Sequence, residues 1–271
     1  MQAMLNSEEG VSPVVGMLLI LTIIILSITV ICVGGLPLIN AARESAHLQG
    51  MRNVFNVLHA DIEEVVRGPV TGVGPARITR MNIGGGALSV DSNPIIGRFT
   101  VNNGTSVLDV NPGTITYEYA EQTIAYENGA TFSQYQSGSV MDCTPLIYTQ
   151  KADGDNITVM IHVINIIGTD SSVGGEGFAR VLTNHTEFNP MVSTTVPNAN
   201  YVNITIQSEY YDAWSDYFIR ELERIDKYDD LNMVTEDSNT KTVTVTIRNT
   251  GPGITDIYLC VYETRISAQV E

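Results

Sequence analysis

The chain has 271 residues, with 14 Lys plus Arg against 30 Asp plus Glu and a formal net charge of −16. That balance argues against binding nucleic acid or an anionic membrane face, since both carry the same sign. The length allows one substantial domain or two small ones behind any N-terminal segment.

Residues 1–10 are polar and contain Glu8 and Glu9 but no basic residue. No charge then occurs before Arg43, and Val14 to Ile31 is almost wholly aliphatic. A helix rises about 1.5 Å per residue, so about 20 residues cross a hydrocarbon core of about 30 Å. The run 11–39 is therefore expected to be a transmembrane helix. A core helix this long would show a charge or a polar face. A secretory signal peptide, cut near Ala41 and Ala42, would have a shorter apolar part behind positive charge. Arg43 and Arg52 follow the span and, read literally, place the C-terminal side in the cytoplasm. Long domains translocate largely regardless of such charges.

Gly34-Gly35-Leu36-Pro37 predicts a kink or break, because proline removes a backbone donor and crowds the preceding turn. An amphipathic helix is expected over 40–67, where Leu48, Met51, Phe55, Leu58, Ile62 and Val65 recur at steps of three and four. Gly68-Pro69 ends it. From Ala76 the period changes to two. Strands are expected at Arg77–Ile83, Ala87–Asp91, Thr114–Tyr119, Gln122–Glu127, Ala130–Tyr135, Asn156–Ile167, Tyr201–Ser208, Thr242–Arg248 and Ile254–Tyr262. Asn128-Gly129 between two of them is a strong hairpin signal, because both turn residues must accept positive φ. Residues 168–177 read as a loop by composition.

One further helix is expected in SEYYDAWSDYFIRELERID. Tyr210, Trp214, Phe218, Leu222 and Ile225 share a face, and Ser208 is the expected N-cap. Its aromatic stripe suits anchoring to a sheet, with a sugar-binding platform as the alternative. The fold class is α+β. A transmembrane helix continues to an amphipathic helix packed on a mainly antiparallel β domain, 70–271, which holds the further helix.

Little in the chain points to chemistry. The histidines are assigned to a helix (His47, His59), a strand (His162) and a loop (His185), in no catalytic arrangement. No nucleophile elbow, HExxH pair or phosphate-binding glycine loop occurs. No enzyme, cofactor or metal is expected. The acidic stretches at 226–232 and at Asp153 and Asp155 lack EF-hand spacing and read as solvated loops. Cys143 and Cys260 could pair outside the cell or remain thiols, and spacing cannot decide. Sequons at Asn103, Asn156, Asn184 and Asn203 permit glycosylation of an exported domain.

The stretch EEGVSPVVG before the apolar run resembles the class III leader of archaeal type IV pilin-like surface proteins. ITRMNIGGGALSV and the SEYYDAW element after YVNITIQS are also similar to that family. The resemblance implies that a leader peptidase cuts between Gly10 and Val11, removing 1–10 and retaining the helix. It implies a single-pass membrane protein with an extracellular C-terminal domain. The helix would then bundle with copies of itself or other pilin-like subunits as a filament core. Glu8-Glu9 departs from the basic residue usual before the cut. The alternative function is an anchored surface protein whose β domain binds an external ligand and does not polymerise.

Overall fold

The computed structural model describes residues 12–68, 74–104, 106–152, 156–196, 201–225, 233–248 and 256–271. Two compact units are resolved, residues 1–49 and 50–271.

In the first unit, helix α1 (Pro13–Val30) begins with proline in its first turn, where a missing N–H is harmless. No break follows. A single π-helical turn at Ile31–Gly35 leads directly into helix α2 (Leu36–Val66). The predicted interruption at Gly34-Gly35-Leu36-Pro37 is thus corrected to a π turn. The wider turn accommodates Pro37, whose ring would otherwise clash with the carbonyl four residues back.

The second unit is an α+β structure with sixteen strands among the described residues. In chain order they are β1 (Ala76–Asn82), β2 (Ala87–Asp91), β3 (Phe99–Asn102), β4 (Ser106–Val110) and β5 (Thr114–Tyr119). Then come β6 (Gln122–Glu127), β7 (Ala130–Tyr135), β8 (Gly138–Cys143), β9 (Ile147–Lys151), β10 (Ile157–Ile167) and β11 (Ser171–Gly174). The last are β12 (Phe178–Val196), β13 (Tyr201–Gln207), helix α3 (Tyr211–Arg224), β14 (Val234–Asp237), β15 (Thr242–Arg248) and β16 (Ile257–Val270). They form three sheets ordered β1-β12-β16-β10-β9, β11-β2-β5-β6-β7-β8 and β14-β15-β13-β3-β4. Neighbours are antiparallel except β10 and β16, which are parallel. The expected loop at 168–177 is corrected: it contains β11, held to β2 by ladder bonds that its glycine-rich composition does not advertise.

Alternation explains most of the packing. Val202, Ile204 and Ile206 of β13 and Val243, Val245 and Ile247 of β15 face the core, and the residues between them do not. α3 adds Trp214, Phe218 and Leu222 to the same core. Fully burying a side chain of this size contributes roughly 1.5–3 kcal/mol. Within this unit, the later turns of α2 bury Phe55, Leu58, Ile62 and Val65. His59 Nε2 sits 3.0 Å from the Gly129 carbonyl oxygen, and the guanidinium of Arg52 lies 5.1 Å from the Tyr135 ring centre. These contacts place α2 on the β6–β7 hairpin.

The long strands β10 and β16 change their buried face midway. Ile157, Val159, Ile161 and Val163 are buried in the first half, then Ile164 and Ile166. In β16, Ile257, Leu259, Val261 and Glu263 give way to Thr264, Ile266, Ala268 and Val270. Val163 pairs with Glu263 and Ile164 with Thr264, so both strands switch at one register. Only the first halves join the core that holds α3. At the switch, Asn165 Nδ2 donates to Glu263 Oε1 at 2.8 Å, and Arg265 Nε donates to the same oxygen at 3.1 Å. A buried carboxylate requires such partners.

Candidate functional site

α1 has no charge and no buried residue, and every side of it is aliphatic. Its hydroxyls are satisfied locally: Thr22, Ser27 and Thr29 each donate to the carbonyl four residues back, at 2.7 to 2.8 Å. With its backbone and hydroxyls bonded internally, this surface can be buried in hydrocarbon or against like helices without stranding a polar group.

A buried polar cluster of the β unit lies around the Glu127 carboxyl. Glu127 ends β6, and Asn128 (φ 46°) and Gly129 (φ 79°) make the tight turn that the Asn-Gly pair predicts. The turn points inward. Asn128 Oδ1 accepts from the Ile164 backbone N–H at 3.0 Å. Glu127 Oε1 accepts from Trp214 Nε1 at 3.1 Å, and Oε2 accepts from Ser208 Oγ at 2.9 Å. Burial pushes the Glu127 carboxyl up to about 7, against the pull of these two donors. The cluster ties a hairpin to a helix and lines none of the depressions described in this structure. It can lock packing, but it presents nothing to a substrate.

Ser208 is corrected as an N-cap. Tyr210 occupies that position, and Ser208, two residues before it, accepts at Oγ from the Tyr210 N–H at 3.0 Å. The aromatic stripe of α3 is core: Trp214 is fully buried, with Phe132, Tyr217 and Phe218 rings around it. That removes it as a sugar platform.

A different surface carries an exposed aromatic, Tyr148, and sequence reasoning missed it. Around edge strand β9, Tyr148, Met160, Tyr217, Glu221 and Arg224 line a depression of about 520 Å³. Arg224 Nη2 is held there, donating to the Thr149 carbonyl at 2.6 Å and to Glu221 at 2.7 Å. Nearby in register, the rings of His162, Phe188 and Tyr262 lie 5.8 to 6.1 Å apart. His162 Nε2 is 2.7 Å from Thr264 Oγ1, and burial holds its imidazole below its usual range. The signal was present in the alternate residues of β10 and β16, but only the parallel register brings them together.

His185 is corrected from loop to strand, in β12, beside a bulge. No disulfide joins Cys143 and Cys260. Among the sequons, Asn184 is exposed on β12, while Asn103, Asn156 and Asn203 are half-buried. Asn156 Oδ1 already accepts from the Asp256 N–H at 2.9 Å. Gly10, Val11, Asp153, Asp155 and the 226–232 stretch lie outside the described residues. Among the described residues, no three His, Cys, Asp or Glu side chains group as metal ligands.

One family model matches residues 9–267, that of a family of unknown function (DUF7289). No curated protein and no solved structure matches the chain.

Proposed function

We propose that this chain, which belongs to the DUF7289 family, is a non-enzymatic, pilin-like surface protein of archaeal type, a membrane-anchored precursor able to assemble through its N-terminal helix. One observation carries the reading: α1 exposes an uncharged aliphatic surface on all sides, while residues 50–271 have a core of their own. A helix apolar all round suits an apolar medium, and none of the residues of α1 is buried.

In this reading the helix crosses the membrane once, and the β unit lies outside the cell. A leader peptidase cuts between Gly10 and Val11, and Pro13 starts the retained helix. While embedded, the helix anchors the protein; in an assembly, the same surface packs against copies or related subunits. The test is the N-terminus of native protein. Val11 supports the processing route, and an intact Met1 favours a permanently anchored protein. A start after Ala42 would make the apolar run an ordinary signal peptide. Protease added to intact cells should digest the β unit; its protection until lysis would overturn the orientation.

A second reading, an anchored protein that binds an external ligand without polymerising, draws on the aromatic depression at Tyr148 and Met160. Concave sites lined by apolar groups with a few fixed polar ones suit small ligands.

A further inference from the structure

At the other end of the same sheet, β1 and β12 place two arginines side by side. The antiparallel register sets Arg80 opposite Arg180, Asn82 opposite Phe178 and Ile78 opposite Leu182. Like charges directly opposed in a sheet destabilise it. Arg180 is compensated by Glu271, at 3.0 Å. Arg80 is exposed and makes no ion pair or hydrogen bond among the described residues. Phe178 beside them is 79% exposed, and the three side chains line a depression of about 480 Å³. Two scarce cations and a large ring thus share one exposed patch, and the Glu271 side chain pairs with Arg180 but not with Arg80.

We infer that this patch docks a carboxylate-bearing surface of a second copy of the chain. The argument is charge. The chain carries 30 acidic residues against 14 basic ones, so a neighbouring copy presents mainly carboxylates. Two copies at −16 repel, and a cationic, aromatic patch is where that repulsion turns to attraction. Arginine forks fit carboxylates in paired geometry, and the Phe178 ring supplies area that gains by leaving water. A cationic patch cannot face itself across a two-fold axis, so it meets an acidic surface elsewhere on the second copy. Repeated head to tail, that contact gives open growth or a ring; made reciprocally, it closes a dimer. This inference rests on the assembly proposed above and adds a contact between its subunits.

The test uses the full-length chain in native membranes, with two independent probes. Arg80→Lys keeps the charge and adds an amine, which a carbodiimide couples to a carboxylate in direct contact. The chain has only three native lysines, at 151, 227 and 241, so the background is low. The expected result is a ladder of dimers and higher species, with peptides joining position 80 to Asp or Glu of another copy. The ladder should fall at least tenfold in Arg80→Gln and be weakened by high salt. Helix association is read separately, by oxidative coupling through Cys32 on the exposed helix with Cys143 and Cys260 changed to Ser. Coupling at Cys32 without any ladder from position 80 would overturn the docking patch and leave helix assembly standing. A ladder without coupling at Cys32 would support the patch and count against the helix route. Retention of the wild type on a polyuronate matrix, lost in Arg80→Gln and unaccompanied by a ladder, would assign the patch to an external anion and overturn the inference.

Discussion

Helices α1 and α3 are both rich in apolar residues, yet they solve opposite problems. α3 is amphipathic: six of its 14 residues are buried, and Asp216, Arg220 and Glu223 lie on its more exposed side. α1 has 18 residues and buries none. The partner of α3 is a sheet of its own chain. α1 offers an apolar surface with no direction around its axis preferred, which in the proposed reading meets a partner of uniform apolarity. The difference teaches that apolar content alone does not make a core helix. The angular distribution decides whether a helix is closed by its own fold or left for a membrane or a second copy.

Removing α1 altogether should produce the largest change. At about −0.3 to −0.6 kcal/mol per aliphatic residue, the run contributes on the order of 5–10 kcal/mol to membrane partition. A chain beginning at Ala41 should therefore leave the membrane fraction and, at concentrations too dilute for docking between β units, behave as a soluble monomer by sedimentation. It should keep the near-ultraviolet circular dichroism of buried Trp214 and resist chelators. Unfolding by chelation would mean that an acidic loop holds a structural metal.

Truncating one side chain in each helix sharpens the contrast. Trp214→Ala should destabilise the β unit by about 3–5 kcal/mol, since it leaves a large void and strands Glu127 Oε1. Leu21→Ala should leave urea unfolding of the same unit unchanged. Equal effects would mean that α1 is part of that unit's core.

The buried carboxyl makes the α3 lock sensitive to pH. Glu127 is raised from its ordinary 4.5 to about 7, so folding takes up a proton between those values. Its contribution is fully present below about 4.5 and is lost as pH rises through about 7, at most about 3 kcal/mol in all. Urea midpoints of the detergent-solubilised chain should fall between pH 5 and 8, and Glu127→Gln should flatten the slope. An unchanged slope in that variant would place the sensitivity elsewhere.

The smallest expected effect is at Gly129, in the hairpin that carries this carboxyl. Gly129→Ala forces a side chain into positive φ and brings its Cβ to 3.2 Å from Ile164 Cδ1. A loss of about 1 kcal/mol is expected in urea unfolding. Asn128→Gly keeps the turn but loses the acceptor for the Ile164 N–H, for a cost of about 1–3 kcal/mol.

The sequence by itself determined the features that depend on local chemistry. The aliphatic run, the Asn128-Gly129 turn, the strands around it and the buried stripe of α3 all follow from spacing and from which residues tolerate positive φ. β2, β5, β6, β7 and β15 were legible to the residue for that reason. β3 and β11 were not, because they owe their form to ladder bonds from the distant β13 and β2. Nor were β8 and β9, because short strands of mixed polarity paired to their chain neighbours leave little pattern. Continuity through Gly34 to Pro37 was likewise hidden, since a π turn absorbs proline without leaving a pattern. Tertiary structure alone decided which side chains meet. The parallel pairing of β10 with β16 created both the polar switch at Glu263 and the aromatic group at His162. The register of β1 on β12 set Arg80 against Arg180 across about a hundred residues of chain, and no local pattern encodes a register between strands so far apart.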